Sequence, residues 1–178
     1  QVAPLFANLP SSQRTVDIRS MEQFDQGWGS ILYRTTLQNA IDRGFLKITE
    51  VHDWAQVFAN GKLLGRLDRR RGENKITLPR LEAGTQLDIL VEAMGRVNFG
   101  TSIHDRKGIT EKVELIRQDE QVELKNWVVY NFPVDYSFIR KLKYNRIEKQ
   151  EGPACYKATF QLDEIGDTFL DMSTWGKG

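Results

Sequence analysis

The sequence predicts an all-β fold of the sandwich or jelly-roll kind. Three observations point there. Short runs with period-two alternation succeed one another from Ser30 to Phe132. Gly, Pro and Asn punctuate these runs at roughly even spacing. Helical periodicity is weak, and only "SMEQFDQG" (20–27) suits a helical turn.

The first strand, "SILYRTTL" (30–37), puts Ile31, Tyr33, Thr35 and Leu37 on one face. "GFLKITEV" (44–51) sets Phe45, Lys47, Thr49 and Val51 against Leu46, Ile48 and Glu50, with Leu46 and Ile48 the better core residues. "WAQVFANGKLLGRLD" (54–68) is two strands about Asn60-Gly61, a dipeptide that favours a type I′ hairpin turn. "NKITLP" (74–79) is a further short strand. "TQLDILVEA" (85–93) places Leu87, Ile89 and Val91 inward and Asp88 and Glu92 outward. "GITEKVELI" (108–116) and "WVVYNF" (127–132) continue the series.

Around this core, residues 1–20 read as an extended connector, polar and carrying Pro4 and Pro10. The β-domain is expected over 21–118. Residues 119–152 are expected to connect it to the last stretch of the chain, with 133–152 charged and irregular. Residues 153–178 resume alternation at Tyr156, Ala158, Phe160 and Leu162, and either add strands or start a second β-domain, since two strands are marginal alone.

Composition narrows the function classes. Across 178 residues, 25 Lys+Arg against 24 Asp+Glu give a net charge of +1, which argues against a nucleic-acid binder. No apolar run reaches the roughly 18 residues of a membrane helix, and "QVAPLFANLPSSQ" lacks the basic and apolar regions of a signal peptide, reading instead like the middle of a longer chain. One cysteine, Cys155, and two histidines supply too few soft ligands for zinc, and no D-x-D-x-D-G pattern supports calcium. No cofactor or metal is expected.

The stretch "LVEAMGRVNFGTSIHDRKG" (90–108) is the natural place to look for chemistry. Gly95-x-x-x-x-Gly100 comes after a strand, but Thr101-Ser102 stands where a phosphate loop needs Lys-Ser/Thr, and the glycines are not spaced G-x-G-x-x-G. His52-Asp53 and His104-Asp105 lack a serine or cysteine in a nucleophile context. No carboxylate spacing singles out a glycosidase pair. "DRRRGE" (68–73) reads as a solvated loop. A polar surface remains: Arg96, Asn98, His104, Asp105 and Arg106, with Trp28 between two glycines as the best exposed sugar-stacking aromatic. For the five polar residues, bracing of backbone groups in a long loop outweighs binding. Trp54 and Trp127 begin strands and belong to the core.

Four segments taken together, "FDQGWGSILYRTTL" (24–37), "VHDWAQVFANGKLLGRLDR" (51–69), "LDILVEAMGRVNFGTSIHDRKGIT" (87–110) and "GDTFLDMSTWGKG" (166–178), resemble family 35 glycoside hydrolases, the β-galactosidases, in order and spacing. The resemblance implies a galactose-binding-domain-like jelly roll. It also implies a parent enzyme that hydrolyses terminal β-galactosyl residues with retention, using two glutamates on an N-terminal (β/α)₈ barrel. This chain has no alternating βα pattern and no room for a barrel of about 250 residues, so no catalytic residue carries over. The implied role is a non-catalytic β-domain that packs on the barrel of the same parent chain. Its rival is a carbohydrate-binding module for galactosides, and a homodimer contact is a third expectation. Localisation is open from the chain itself; the resemblance implies an exported or lysosome-like parent.

Overall fold

Alternation and turn chemistry place most of the strands where they are found, and the chain adds four short ones. The computed structural model describes residues 1–117, 120–146 and 150–173. In chain order the strands are β1 (Val2–Pro4), β2 (Ser12–Thr15), β3 (Ser30–Thr36), β4 (Gly44–His52), β5 (Trp54–Ala59) and β6 (Lys62–Asp68). They continue with β7 (Lys75–Leu78), β8 (Gln86–Glu92), β9 (Gly108–Arg117), β10 (Glu120–Glu123), β11 (Trp127–Phe132) and β12 (Ala154–Tyr156). A six-stranded sheet of order β2-β11-β3-β8-β5-β6 faces a four-stranded one of order β10-β9-β4-β7. The pairings within both sheets are antiparallel, and the chain crosses repeatedly between the two, giving the jelly-roll sandwich.

The core between the sheets is apolar. Ile31, Tyr33, Leu46, Ile48, Val57, Leu87, Ile89, Val91, Ile109 and Val113 are fully buried in one cluster. Each such aliphatic side chain stabilises the fold by roughly 1.5–3 kcal/mol. Tyr33 and Trp127 meet edge to face, with ring centroids 6.4 Å apart. The Tyr33 hydroxyl donates to the Arg19 carbonyl at 2.8 Å and accepts from the Ile109 N–H at 3.3 Å, so this buried polar tip is satisfied. At the β5–β6 turn, Asn60 and Gly61 both take positive φ, 46° and 80°, as a type I′ turn requires.

Three expectations are corrected. Val51 is buried, not outward, because a β-bulge between Thr49 and Val51 inserts Glu50 at φ 57° and shifts the alternation by one. Asp88 is buried rather than solvated, because the outer face of the six-stranded sheet is covered too. There Leu32, Phe58, Leu90 and Phe132 form a second cluster beneath Leu5, Phe6 and Phe138. Asp88 survives burial by pairing with Arg34 across the β3–β8 ladder at 2.7 Å.

The third correction concerns the stretches expected to be connectors. Residues 1–20 supply β1 and β2, and β2 is an edge strand of the six-stranded sheet. Residues 119–152 supply β10 as well as β11, the strand expected at 127–132, and β11 sits inside that sheet between β2 and β3 rather than in a connector. They also supply the helical turn Tyr136–Ile139, whose Asp135 cap accepts the Phe138 N–H. Past the sandwich, β12 pairs with β1, while the alternating run expected from Ala158 to Leu162 takes no strand and leaves Phe160 and Leu162 exposed. The 20–27 segment makes the expected turn as a 3-10 helix, Met21–Phe24.

Candidate functional site: the loop between β8 and β9

The chain leaves the sheet after Glu92 and returns at Gly108. Three other connections end at the same edge of the sandwich. Asp53 lies between β4 and β5, Arg69 comes after β6, and the 3-10 helix Met21–Phe24 precedes β3. Together they build an ion-pair cluster beneath the loop, in which Asp53, Asp105 and Lys107 are buried and the Arg69 side chain is 39% exposed. The Lys107 ammonium, 0% exposed, donates to Asp53 Oδ2 and Asp105 Oδ2 at 2.7 Å each, and to the Gly95 carbonyl at 3.1 Å. Arg69 Nη1 donates to Asp53 Oδ1 at 2.9 Å and Asp105 Oδ1 at 2.7 Å. The Met94 N–H donates to Asp53 Oδ2 at 2.7 Å.

Two carboxylates and two cations thus neutralise one another. Taking such charges out of water costs several kcal/mol per ion, which only complete pairing offsets. Burial, the largest influence on Asp105, raises its carboxyl, yet the bonds from Lys107 and Arg69 outweigh it and hold the group at about 2. Asp53 is lowered in the same way: burial opposes, and Lys107, Arg69 and the Met94 N–H prevail.

A second tier of contacts surrounds the cluster. Arg96 donates to the Asp105 carbonyl at 2.9 Å and the Gly27 carbonyl at 2.7 Å, and pairs with Glu22 at 2.7 Å. Glu22 in turn accepts the Lys107 N–H at 2.9 Å. His52 sets Nδ1 2.6 Å from the Arg106 carbonyl and Nε2 2.9 Å from Glu50. Gly108 closes the loop at φ 86°, where a Cβ would run into the Tyr33 hydroxyl and Met21. Gly100 also takes positive φ, 93°. Gly95 does not, and contributes its carbonyl to Lys107 instead.

The two His-Asp pairs therefore divide their parts. Their aspartates meet around Lys107, while His104 is exposed and His52 stands 3.7 Å from Asp105. Among the described residues neither pair orients a histidine toward a nucleophile. The Asp53 and Asp105 oxygens are all engaged by cations or N–H groups, so the two do not form an acid/base pair across a cleft. The basic run is also accounted for. Arg69 is in the cluster, Arg70 pairs with Asp68 at 2.6 Å, and Arg71 lies 3.9 Å from Glu73. All three arginines are exposed, as a solvated loop requires, and Arg69 in addition reaches the cluster.

Of the four sugar-contact candidates, Arg96 is committed to the loop's own carbonyls and to Glu22, and Trp28, Asn98 and His104 are exposed. The Trp28 turn adjoins the loop through the Gly27–Arg96 bond. Trp127 is buried as expected, Trp54 is half-buried, and Trp175 lies outside the described residues. Two open depressions lie elsewhere, one about Gln56, Lys62, Arg66 and Pro153, the other about Arg43, Thr77 and Arg80. Among the described residues no three His, Cys, Asp or Glu side chains are grouped to hold a metal ion. Lys107 was not among the sequence candidates, and the "DRKG" that contains it carries no pattern that marks a buried lysine.

Residues 19–134 match the family described as "Beta-galactosidase, first all-beta domain". The chain belongs to this family. The β-galactosidase of Xanthomonas manihotis is 33% identical over 177 residues, covering 99% of this chain and 28% of that protein. "Beta-galactosidase 17" of Arabidopsis thaliana is 33% identical, covering 89% of this chain and 26% of its own length. The human "Beta-galactosidase-1-like protein 2" is 35% identical, covering 86% and 23%. The chain thus spans about a quarter of the length of these curated relatives. The matched segment holds all of the cluster: Asp53, Arg69, Asp105 and Lys107. In this β-galactosidase domain the four charges clamp the base of the loop between β8 and β9.

Proposed function

We propose that the chain is the non-catalytic β-domain portion of a retaining β-galactosidase and that it scaffolds the catalytic (β/α)₈ barrel of the same polypeptide. The observation that carries this reading is the saturated cluster. Every carboxylate brought together at the loop is spent on a cation or an N–H, so the site fixes a shape rather than moving a proton. The share of the relatives that the chain spans supports the reading, because each of them carries far more polypeptide than this domain.

The test is an assay with a chromogenic β-galactoside. The purified 178-residue chain gives no turnover, and the full-length polypeptide that carries it does. Turnover by the chain alone, persisting after repurification, overturns the reading.

One observation favours a second reading, a galactoside-binding module: exposed Trp28 sits in a turn bonded to the Arg96 loop. Galactose titration followed by NMR separates the two. Shifts confined to Trp28 and residues 96–104 support binding, and a silent spectrum at millimolar sugar supports the scaffold.

A further inference from the structure

The loop between β8 and β9 has an apolar tip on an ionic base. Phe99 is 88% exposed, Ile103 56% and Val97 38%, and Trp28, at 62%, stands in the adjoining turn. Single exposed apolar residues need no explanation, but three on one loop and a fourth in the turn bonded to it supply the kind of apolar area that an interaction site uses. The feature is also held still. Met94, Arg96, Asp105 and Lys107 are tied down on either side of the tip by bonds to Asp53, Glu22, Arg69 and Gly27, and the Gly95 carbonyl accepts from Lys107. A loop fixed in advance loses little entropy on docking, and aromatic anchors contribute most where they enter a desolvated pocket.

We infer that Val97, Phe99 and Ile103, with Trp28 beside them, are a preformed docking surface for the catalytic portion of the same polypeptide. This rests on the β-galactosidase scaffold reading above and names the surface it uses. One observation selects the occupant. In the three relatives the matched segment is 23–28% of the protein, so most of each polypeptide lies outside it and is available to cover an apolar tip. A second copy of this chain is the competing occupant, and the cross-link below separates the two.

The test places a photo-crosslinking amino acid at position 99 of the full-length polypeptide and maps the product by mass spectrometry. The expected product joins position 99 to a segment outside residues 1–178 of the same molecule. A cross-link to a second copy of the protein, or quenching by water alone, overturns the inference. A paired variant, Phe99→Asp with Ile103→Asp, supplies a second readout. The 178-residue chain carrying it melts as the parent chain does, whereas the full-length protein loses heat resistance by at least about tenfold in half-life, as expected for anchor residues. An unchanged half-life also overturns the inference. The scaffold reading fails separately, through turnover by the isolated chain, while the cross-link map still reports whether the tip docks.

Discussion

Two irregular segments of this molecule expose aromatic and aliphatic side chains, and they are held by different means. The loop from Ala93 to Lys107 shows Phe99 and Ile103 to solvent but is anchored by a cluster of four charges, three of them buried. Residues 158–173 show Phe160, Ile165, Phe169 and Leu170, and the side-chain bonds found there are local, Thr168 to Gly166 and Asp171 to the Ser173 N–H. Apolar residues are equally plain in both sequences. Long-range polar pairing separates the two segments, because it converts a strandless loop into a fixed part of the sandwich. Fixed structure need not be regular structure. A loop can take its shape from side chains of distant strands as firmly as a strand takes its shape from its neighbours.

Removing the ammonium breaks the contrast most severely. Lys107→Ala leaves Asp53 and Asp105 buried near each other with Arg69 alone, and is expected to destabilise the chain by about 3–5 kcal/mol in urea titration. A loss below about 1 kcal/mol would mean that the cluster does not hold the loop.

Acid acts more gently on the same bonds. Asp105 is held at about 2 in the folded chain, below the ordinary carboxylate near 3.9. A depressed carboxyl contributes stability that is fully present above its unfolded value and is lost as pH falls through its folded value. Stability should therefore decline between about pH 4 and about pH 2, with Asp53 adding to the same slope. The slope should be shallower in Asp105→Asn, which has no carboxyl to protonate there. Equal slopes in the two proteins would remove Asp105 from the account.

Much of the sandwich was legible in the sequence, for identifiable reasons. Strands β3 to β9 and β11 announce themselves because a half-buried strand must alternate and a tight hairpin must supply positive φ, as at Asn60-Gly61. The short edge strands β2 and β10 are polar and mostly exposed, so burial leaves no pattern on them. The outward reading of Val51 failed at a bulge, which a single sequence does not mark, and that of Asp88 failed because residues from both ends of the chain cover the sheet's outer face. At the candidate site, Arg96 was legible as a brace and Trp28 as an exposed aromatic. The cluster was not. Its members are 53, 69, 105 and 107, brought together only by the sheet register, and a lysine destined for burial is written like any other. The family, by contrast, was carried by order and spacing along the whole chain, which needs no geometry.

Amide hydrogen exchange of the 178-residue chain tests most directly that the charge cluster fixes the loop. The Met94 N–H bonds to Asp53 and the Lys107 N–H to Glu22. Both should exchange far more slowly than amides between Ala158 and Leu170, at rates approaching those of the β4–β9 ladder. Met94 and Lys107 exchanging as fast as the 158–170 amides would contradict the claim.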